Sequence, residues 1–572
     1  MTNRRIIYKP IPAGIEQLVQ EQGGSRESVL EILKILDHQE QLNQESITDT
    51  ARSLGLPPHQ VFGVATFYSM LSLQPRKKVI RICDGPVCSA KNAAKISQAL
   101  AETAEAGWSI ERSSCLGLCD RAPAALVGTE PAGPLQVDGI QGLFQGWRGA
   151  LPDYSQPGQK ELRVMLANAG KVEPDSIDSA LANGAYAGFK KALTCTPKAI
   201  LDLVEESGLQ GRGGAGFPVG RKWRFVDQTP GEQKYIICNA DESEPLIFKD
   251  RVLIDADPHQ ILEGMAIGGY ACGASEGYIY IRGEYEAQAR RLESAISQAV
   301  QKNWLGHDIQ GTGFTFHVHV HRGAGAYICG EETALIESLE GKRGEPRLRP
   351  PFPPSFGFRG CPTAVNNLES LAAVRHIINN GSTWWKTLTS YPVPGTKLYM
   401  VLGQVKKPGV FEAPFGLTLR QIIEDYGGGM LDGSSFQFAL TGGAAGTIVG
   451  PGQLDVHIDY GSSAQGISLG AGGFLICDQT FTPVDLLREL LHFFVLESCG
   501  KCTPCRAGTW RAHEILNRMV AGTGQPGDVE ELGALADNLL LASFCGLGQS
   551  VSIPIKSALA NFADEFHSYE RA

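Results

Sequence analysis

Residues Glu497-Ser-Cys499-Gly-Lys-Cys502-Thr-Pro-Cys505-Arg506 put three thiols on one short loop, and a lone Cys545 follows at a distance. Thiols so closely spaced cannot all bond one another without severe strain. Thiolates on a tight loop can instead hold three corners of an iron–sulfur cube, which a distant fourth closes. The spacing predicts a [4Fe-4S] cluster held by Cys499, Cys502, Cys505 and Cys545. A zinc site with four cysteine ligands is the alternative, although such sites usually show two separated C-x2-C pairs.

A second set of four consists of Cys83-Asp-Gly-Pro-Val-Cys88 and Cys115-Leu-Gly-Leu-Cys119. A C-x4-C beside a C-x3-C suits a [2Fe-2S] rhombus, which needs two thiolates per iron. Both pairs leave the ends of strand-like runs, Lys78-Val-Ile-Arg-Ile-Cys83 and Trp108-Ser-Ile-Glu-Arg. That placement resembles a thioredoxin-like [2Fe-2S] domain. Two structural disulfides are the alternative; they require an oxidising compartment, to which no feature of the chain points. The six remaining cysteines, Cys195, Cys238, Cys272, Cys329, Cys361 and Cys477, are scattered singly and read as small buried apolar residues.

At 572 residues the chain is long enough for several cores, and its 43% hydrophobic and 20% charged content is that of ordinary globular proteins. A formal charge of −10 argues against a nucleic-acid binder, which would show a basic patch or stripe. No apolar core of signal-peptide type follows the first residues, and no run of about 18 apolar residues occurs. These features lead us to expect a cytoplasmic protein with no direct membrane span and no nucleic-acid partner.

The patterning predicts an α/β and α+β multidomain chain. Residues 1–76 read as a helical bundle, with Val29, Ile32, Leu33 and Leu36 at helical spacing. Residues 77–150 form the [2Fe-2S] unit, and a polar stretch rich in Pro and Gly, 151–160, reads as a linker. Residues 161–390 alternate helical runs with strand-like ones (Tyr235–Cys238, Gly277–Arg282, Thr315–His321), which suggests a Rossmann-like α/β domain. Short strands around one helix, Thr418–Glu424, suggest a ubiquitin-like β-grasp unit over 391–478, and 479–572 reads as the helical [4Fe-4S] domain.

The α/β block opens with Gly211-Arg212-Gly213-Gly214-Ala215-Gly216-Phe217-Pro218, followed by Lys222 and Trp223. Such glycines let backbone amides approach a phosphate or a flat ring, and the following helix adds its positive end. A loop of this kind is a weak signal by itself. Downstream come Asn239-Ala240-Asp241-Glu242-Ser243-Glu244-Pro245, Tyr327-Ile-Cys-Gly330-Glu331-Glu332 and Asn366-Asn367-Leu-Glu369. Carboxylates so dense are unfavourable around phosphate but accept hydrogen bonds from ribityl, ribose and amide groups, with Arg212 and Lys222 balancing the charge.

These motifs, in this order and with Lys-Arg-Gly-x-Pro-Arg and Pro-Pro-Phe-Pro between them, resemble the family of flavin-containing NADH-oxidising subunits. It comprises the NADH-oxidising member of respiratory complex I and the diaphorase subunits of NAD-reducing hydrogenases and NAD-dependent formate dehydrogenases. The part before about residue 150 resembles the small [2Fe-2S] subunit of complex I, fused ahead. The resemblance implies an FMN- and Fe-S-dependent NADH dehydrogenase (diaphorase) that exchanges hydride with NAD(H) and passes single electrons to clusters. It places FMN against Gly211, Arg212, Gly213, Lys222, Asn239, Asp241, Glu242, Tyr327, Gly330, Glu331, Asn366 and Asn367. It places NADH against Phe217, Phe225, Glu244, Glu332, Arg349 and Phe352. No residue beyond those that position cofactor, Glu244 and Glu332 among them, is implied as catalytic.

Two departures stand out. Leu246 and Ile247 replace small residues near the presumed nucleotide site, and Arg349 stands where relatives commonly carry lysine. The resemblance further implies Fe-S partner subunits and a large catalytic subunit of formate dehydrogenase or hydrogenase type. The fusion and the Gly427-Gly-Gly-Met-Leu-Asp-Gly stretch suit a formate dehydrogenase beta subunit. An NAD-reducing hydrogenase, a fused complex I or electron-bifurcating assembly, and a non-catalytic scaffold with a blocked nucleotide site are the alternatives. His317, His319 and His321 share one strand face and read as an ordinary face rather than a metal site. Trp384 and Trp385 read as packing residues. Glu284 reads as a surface or helix-start residue.

Overall fold

A computed structural model describes residues 11–76 and 78–570. The first ten residues of the expected bundle, Lys77 at the start of the expected [2Fe-2S] unit, and the last two residues lie outside the described residues. The chain opens with the helices Ala13–Glu21, Val29–His38, Gln44–Ser53 and Pro58–Ala65. Val29, Ile32, Leu33 and Leu36 are all buried, as their spacing predicts, each adding on the order of 1.5–3 kcal/mol of apolar burial.

A four-stranded sheet follows, built from β1 (Lys78–Cys83), β2 (Trp108–Ser113), β3 (Ala125–Val127) and β4 (Glu130–Ala132) in the order β2-β1-β3-β4. β1 runs parallel to β2 and antiparallel to β3, so the parallel pair needs a crossover, supplied by the helix Ala93–Thr103. Cys83 closes β1 and Cys115 follows β2, so the loops leaving two neighbouring parallel strands carry thiols.

The central sheet contains β5 (Tyr235–Ala240), β6 (Glu276–Ile281), β7 (His317–Arg322) and β8 (Thr363–Asn367), all parallel in the order β7-β6-β5-β8. The Tyr-Ile-Ile-Cys run of β5 is wholly buried, as expected where helices cover both faces of a parallel sheet. β7 starts two residues later than its apolar pattern suggests. Phe316 instead exchanges backbone hydrogen bonds with Gly306, at 2.8 and 2.9 Å. The topology puts the Asn239–Pro245 segment, Arg282, the Gly323–Gly330 segment and Asn366-Asn367 at the same carboxyl edge of the sheet. Ligands of open parallel sheets bind at that edge.

A five-stranded sheet comes next: β9 (Thr396–Gly403), β10 (Gly409–Pro414), β11 (Phe438–Thr441), β12 (Thr447–Val449) and β13 (Gly473–Cys477), ordered β10-β9-β13-β11-β12. Its expected helix is short, since Leu419–Gln421 passes directly into a π-helical turn, Ile422–Tyr426. The chain ends in the helices Pro483–Glu497, Thr503–Val520, Asp528–Ala542, Gly546–Ser550 and Ser552–Ser568. Among the described residues, no helix is long and apolar enough to cross a membrane.

Candidate functional site

The glycine loop is tied down at both ends. Gly211 N–H donates to Phe217 O at 2.9 Å, and Arg212 N–H donates to Ser370 Oγ at 2.9 Å. Gly216 has φ +67, and a Cβ there would lie 2.5 Å from the Tyr460 ring, so conformation and space both demand glycine. Arg212 balances one carboxylate of the motif, Glu369, which its Nε approaches at 3.9 Å, but it turns away from the open cradle to do so. Its wholly buried guanidinium donates to Gln210 O and Thr396 O (2.9 and 2.8 Å) and lies over the Phe415 ring, fastening the loop to the five-stranded sheet.

Lys222 is the cation that faces the carboxylates. Its Nζ donates to Val365 O at 2.9 Å and lies 3.3 Å from Glu332, which Arg349 approaches at 3.4 Å from the other side. Phe225, one helical turn from Lys222, and Phe217 and Phe352 are all about half exposed (46%, 45% and 52%). A carboxylate bridged by two cations and flanked by open aromatic faces suits a nucleotide with hydroxyls and flat rings.

Asn239 Nδ2 donates to Gly330 O at 2.8 Å, which joins the end of β5 to the segment after β7. Asp241 accepts from Ser243 through Oδ1, while its buried Oδ2 has no hydrogen-bond partner. Burial pushes the Asp241 carboxyl well above its ordinary range. Glu331 caps the helix Glu332–Leu339 with Oε2, leaving Oε1 without a hydrogen bond and 3.6 Å from Arg349. Tyr327 donates its hydroxyl to Glu244, whose other oxygen accepts from Ala445 N–H at 3.0 Å. Unspent buried acceptors beside a glycine loop fit a ligand rich in N–H and O–H donors, as the isoalloxazine and ribityl parts of FMN are.

Other expected contacts are spent within the protein. Both oxygens of Glu242 cap the helix Lys249–Ala256, accepting from Asp250 N–H (2.8 Å) and Arg251 N–H (3.1 Å). Asn366 Oδ1 accepts from Trp223 at 2.8 Å. Asn367 is held by Lys249 and Asp250 and caps the helix Leu368–Asn380. These side chains fix the backbone that lines the edge.

The four thiols Cys83, Cys88, Cys115 and Cys119 are buried and converge, with Cys83 in contact with Cys88 and Cys115, and Cys115 with Cys119. Gly117 N–H points at Cys115 Sγ (3.4 Å), and Leu246 N–H from the flavin side reaches Cys119. Cys499, Cys502, Cys505 and Cys545 line one cavity together with Ile328. Cys502 and Cys545 each stand at the start of a helix, and burial pushes the Cys545 thiol above its ordinary range, opposed in part by the backbone N–H groups of Gly548 and Leu547. All fourteen cysteines are free.

Leu246 and Ile247 are buried, and a Cβ on Gly473 at the head of β13 would meet both within 2.8 Å. Their side chains therefore pack against the head of β13 in the five-stranded sheet. The histidines of β7 are engaged separately. His319 bonds Glu276 at 2.7 Å, His321 stacks on Tyr280, and His317 meets His307 edge-on. Trp385 is buried, as expected.

Sequence reading passed over two junction residues. Glu497 accepts from Ser114 Oγ and from Tyr327 N–H (2.8 Å), tying both cluster loops to the flavin edge. Arg282, at the end of β6, pairs with Glu284 and bonds both the flavin and [2Fe-2S] segments. The available signal for Arg282 was a cation at the carboxyl end of a parallel strand.

Four families match along the chain: the thioredoxin-like [2Fe-2S] ferredoxin over residues 15–148, the Nuo51 FMN-binding domain over 204–376, the SLBB domain over 398–449, and the NADH-ubiquinone oxidoreductase-F iron-sulfur binding region over 485–569. An NADH-quinone oxidoreductase F-type subunit of Rhizobium meliloti is 46% identical over 412 residues, covering 71% of this chain and 98% of that protein. The NADP-reducing hydrogenase subunit HndC of Solidesulfovibrio fructosivorans is 44% identical, covering 72% and 84%. A chain in the crystal structure of an NAD+-reducing [NiFe]-hydrogenase in the air-oxidized state superimposes with a TM-score of 0.84 at 31% identity, covering 96% of this chain and 95% of that one. Fold and site together define an NADH dehydrogenase module that uses FMN, one [2Fe-2S] and one [4Fe-4S] cluster. The chain belongs to the family of F-type subunits of NADH-quinone oxidoreductase.

Proposed function

We propose that the chain is the NAD(H)-reactive beta subunit of a cytoplasmic, multisubunit NAD-dependent formate dehydrogenase. The observation that carries its electron-converting role is the meeting of three loops. The Glu497 carboxylate touches the [2Fe-2S] segment through Ser114 and the flavin edge through Tyr327, two residues before Cys499. Bound FMN supplies the exchange between two-electron hydride chemistry and one-electron transfer.

In this reading the glycine loop with Lys222, Asn239, Asp241, Tyr327, Gly330 and Glu331 orients the flavin, while Arg212, Glu242, Asn366 and Asn367 hold that edge in shape. Glu332 and Arg349, with Phe217, Phe225 and Phe352, receive the nucleotide, and Glu244 is held toward the same edge by Tyr327 and Ala445. Cys83, Cys88, Cys115 and Cys119 hold the [2Fe-2S] cluster, and Cys499, Cys502, Cys505 and Cys545 the [4Fe-4S] cluster. Electrons would leave through clusters on partner subunits toward a large subunit that activates formate. The Gly427–Gly433 stretch supports formate, whereas the fused order is shared with a chain of the NAD+-reducing [NiFe]-hydrogenase structure, and that whole-chain similarity supports a hydrogenase diaphorase as the second reading.

The test is the metal content of the native complex, isolated anaerobically through a tag on this chain. Molybdenum or tungsten with formate-dependent NAD reduction supports the proposal. Nickel transfers the chain to a hydrogenase, and iron alone with no formate activity rejects formate in favour of a complex I-like or bifurcating assembly.

A further inference from the structure

Arg282 is 2% exposed and stands where two cofactor-bearing segments meet. One terminal nitrogen donates to Glu242 O in the flavin segment at 2.6 Å, and the other donates to Cys115 O in the [2Fe-2S] loop, also at 2.6 Å. Gly117 leaves the space for this approach, since a Cβ there would lie 2.8 Å from the guanidinium and 2.2 Å from Tyr285 Oη. Glu284 pairs with the guanidinium through Nε at 3.0 Å and, at 2.8 Å, through the terminal nitrogen that also bonds Cys115 O, so the two charges lie side by side, with the cation in direct contact with the Cys115 backbone.

We propose that Arg282 and Glu284 form a buried charge pair that sets the reduction potential of the [2Fe-2S] cluster and thereby its share of the electrons leaving the flavin. This rests on the assignment of Cys83, Cys88, Cys115 and Cys119 as cluster ligands. Uptake of one electron without a proton adds one negative charge to a site walled off from water. In such surroundings a fixed neighbouring charge acts strongly on the two oxidation states, the cation favouring the reduced one and the anion the oxidised one. Both members of the pair come from the central α/β region, so the flavin-holding region tunes a cluster held by another fold.

The test is an anaerobic redox titration of the full chain with its cofactors, following the [2Fe-2S] and [4Fe-4S] electron paramagnetic resonance signals separately. At the potential where the unaltered [2Fe-2S] cluster is half reduced, Arg282→Gln should lower its reduced-to-oxidised ratio at least tenfold, Arg282→Lys should restore most of it, and Glu284→Gln should raise it. The [4Fe-4S] titration should stay in place throughout. Equal ratios in all three variants, or shifts of one sign for Arg282→Gln and Glu284→Gln, would overturn the proposal. If Arg282→Gln fails to fold, the sign of the Glu284→Gln shift decides. Absence of a [2Fe-2S] signal from the unaltered chain would overturn the ligand assignment and this proposal with it.

Discussion

Lys397 Nζ lies 3.4 Å from Glu369 Oε2, with neither side chain exposed to solvent. Lys249 reaches the same carboxylate at 3.1 Å and Arg212 approaches it at 3.9 Å, so one acid gathers cations from the glycine loop, the helix Lys249–Ala256 and β9. Burial works against the charge on Glu369, yet these cations hold it below its ordinary range. Burial pushes Lys397 down to about 7, with Glu369 opposing the shift.

A lysine whose folded value lies below its unfolded one sheds its proton earlier in the folded chain. Between about pH 7 and 10.5 the unfolded chain then binds more protons, and stability rises with pH across that window. Lys397→Met should remove this contribution. The thermal midpoint of the unaltered chain minus that of Lys397→Met should therefore rise from pH 7 to 10, and a constant difference would contradict the assignment.

Asp241 Oδ2 is a buried acceptor with no partner in the protein. If it receives a hydrogen bond from FMN, removing it costs about 1–3 kcal/mol, the range for leaving a buried partner unsatisfied, or about a five- to hundredfold loss of affinity. Asp241→Ala should show that loss in a fluorescence titration of the flavin-depleted chain. Unchanged affinity would place the flavin elsewhere.

Leu246 is wholly buried at φ +78, an unfavourable conformation for a residue with a side chain. Leu246→Ala should destabilise the chain by about 2–5 kcal/mol through the cavity it leaves. Leu246→Gly should be the milder of the two, since glycine relieves backbone strain on the order of 1–3 kcal/mol. Neither should change KM for NADH more than about twofold, because the side chain is wholly buried beside Gly473 of β13. A large KM effect would return Leu246 to the nucleotide site.

What the sequence made legible was what is local. Thiols two or three residues apart announce a shared loop, and the apolar spacing of Val29, Ile32, Leu33 and Leu36 announces a helix face. The direction of Arg212 was not legible, because Thr396 and Glu369, far along the chain, turn its guanidinium inward. Leu246 and Ile247 looked like obstacles to nucleotide for the same reason: Gly473 on β13, which lies against them, is distant in sequence. Glu242 sat in a dense acidic motif, and only the helix Lys249–Ala256 shows that it caps backbone N–H groups.

The two cluster sites draw their ligands from separate folds, which makes them separable by single substitutions. Cys545 stands at the start of the helix Gly546–Ser550 and shares a cavity with Cys499, Cys502 and Cys505, whereas Cys115 follows β2 and touches Cys83 and Cys119. A [4Fe-4S] cluster needs its fourth thiolate, and a [2Fe-2S] cluster needs two on each iron. Cys545→Ala should therefore abolish the [4Fe-4S] resonance and leave the [2Fe-2S] resonance, while Cys115→Ala should do the reverse. FMN content should persist in both, since neither thiol belongs to the Asn239–Gly330 edge. NADH-dependent reduction of a two-electron dye that reacts at the flavin should survive in Cys545→Ala, while transfer to the partner subunits fails. Loss of both resonances from either variant would mean that the eight cysteines form one interdependent centre.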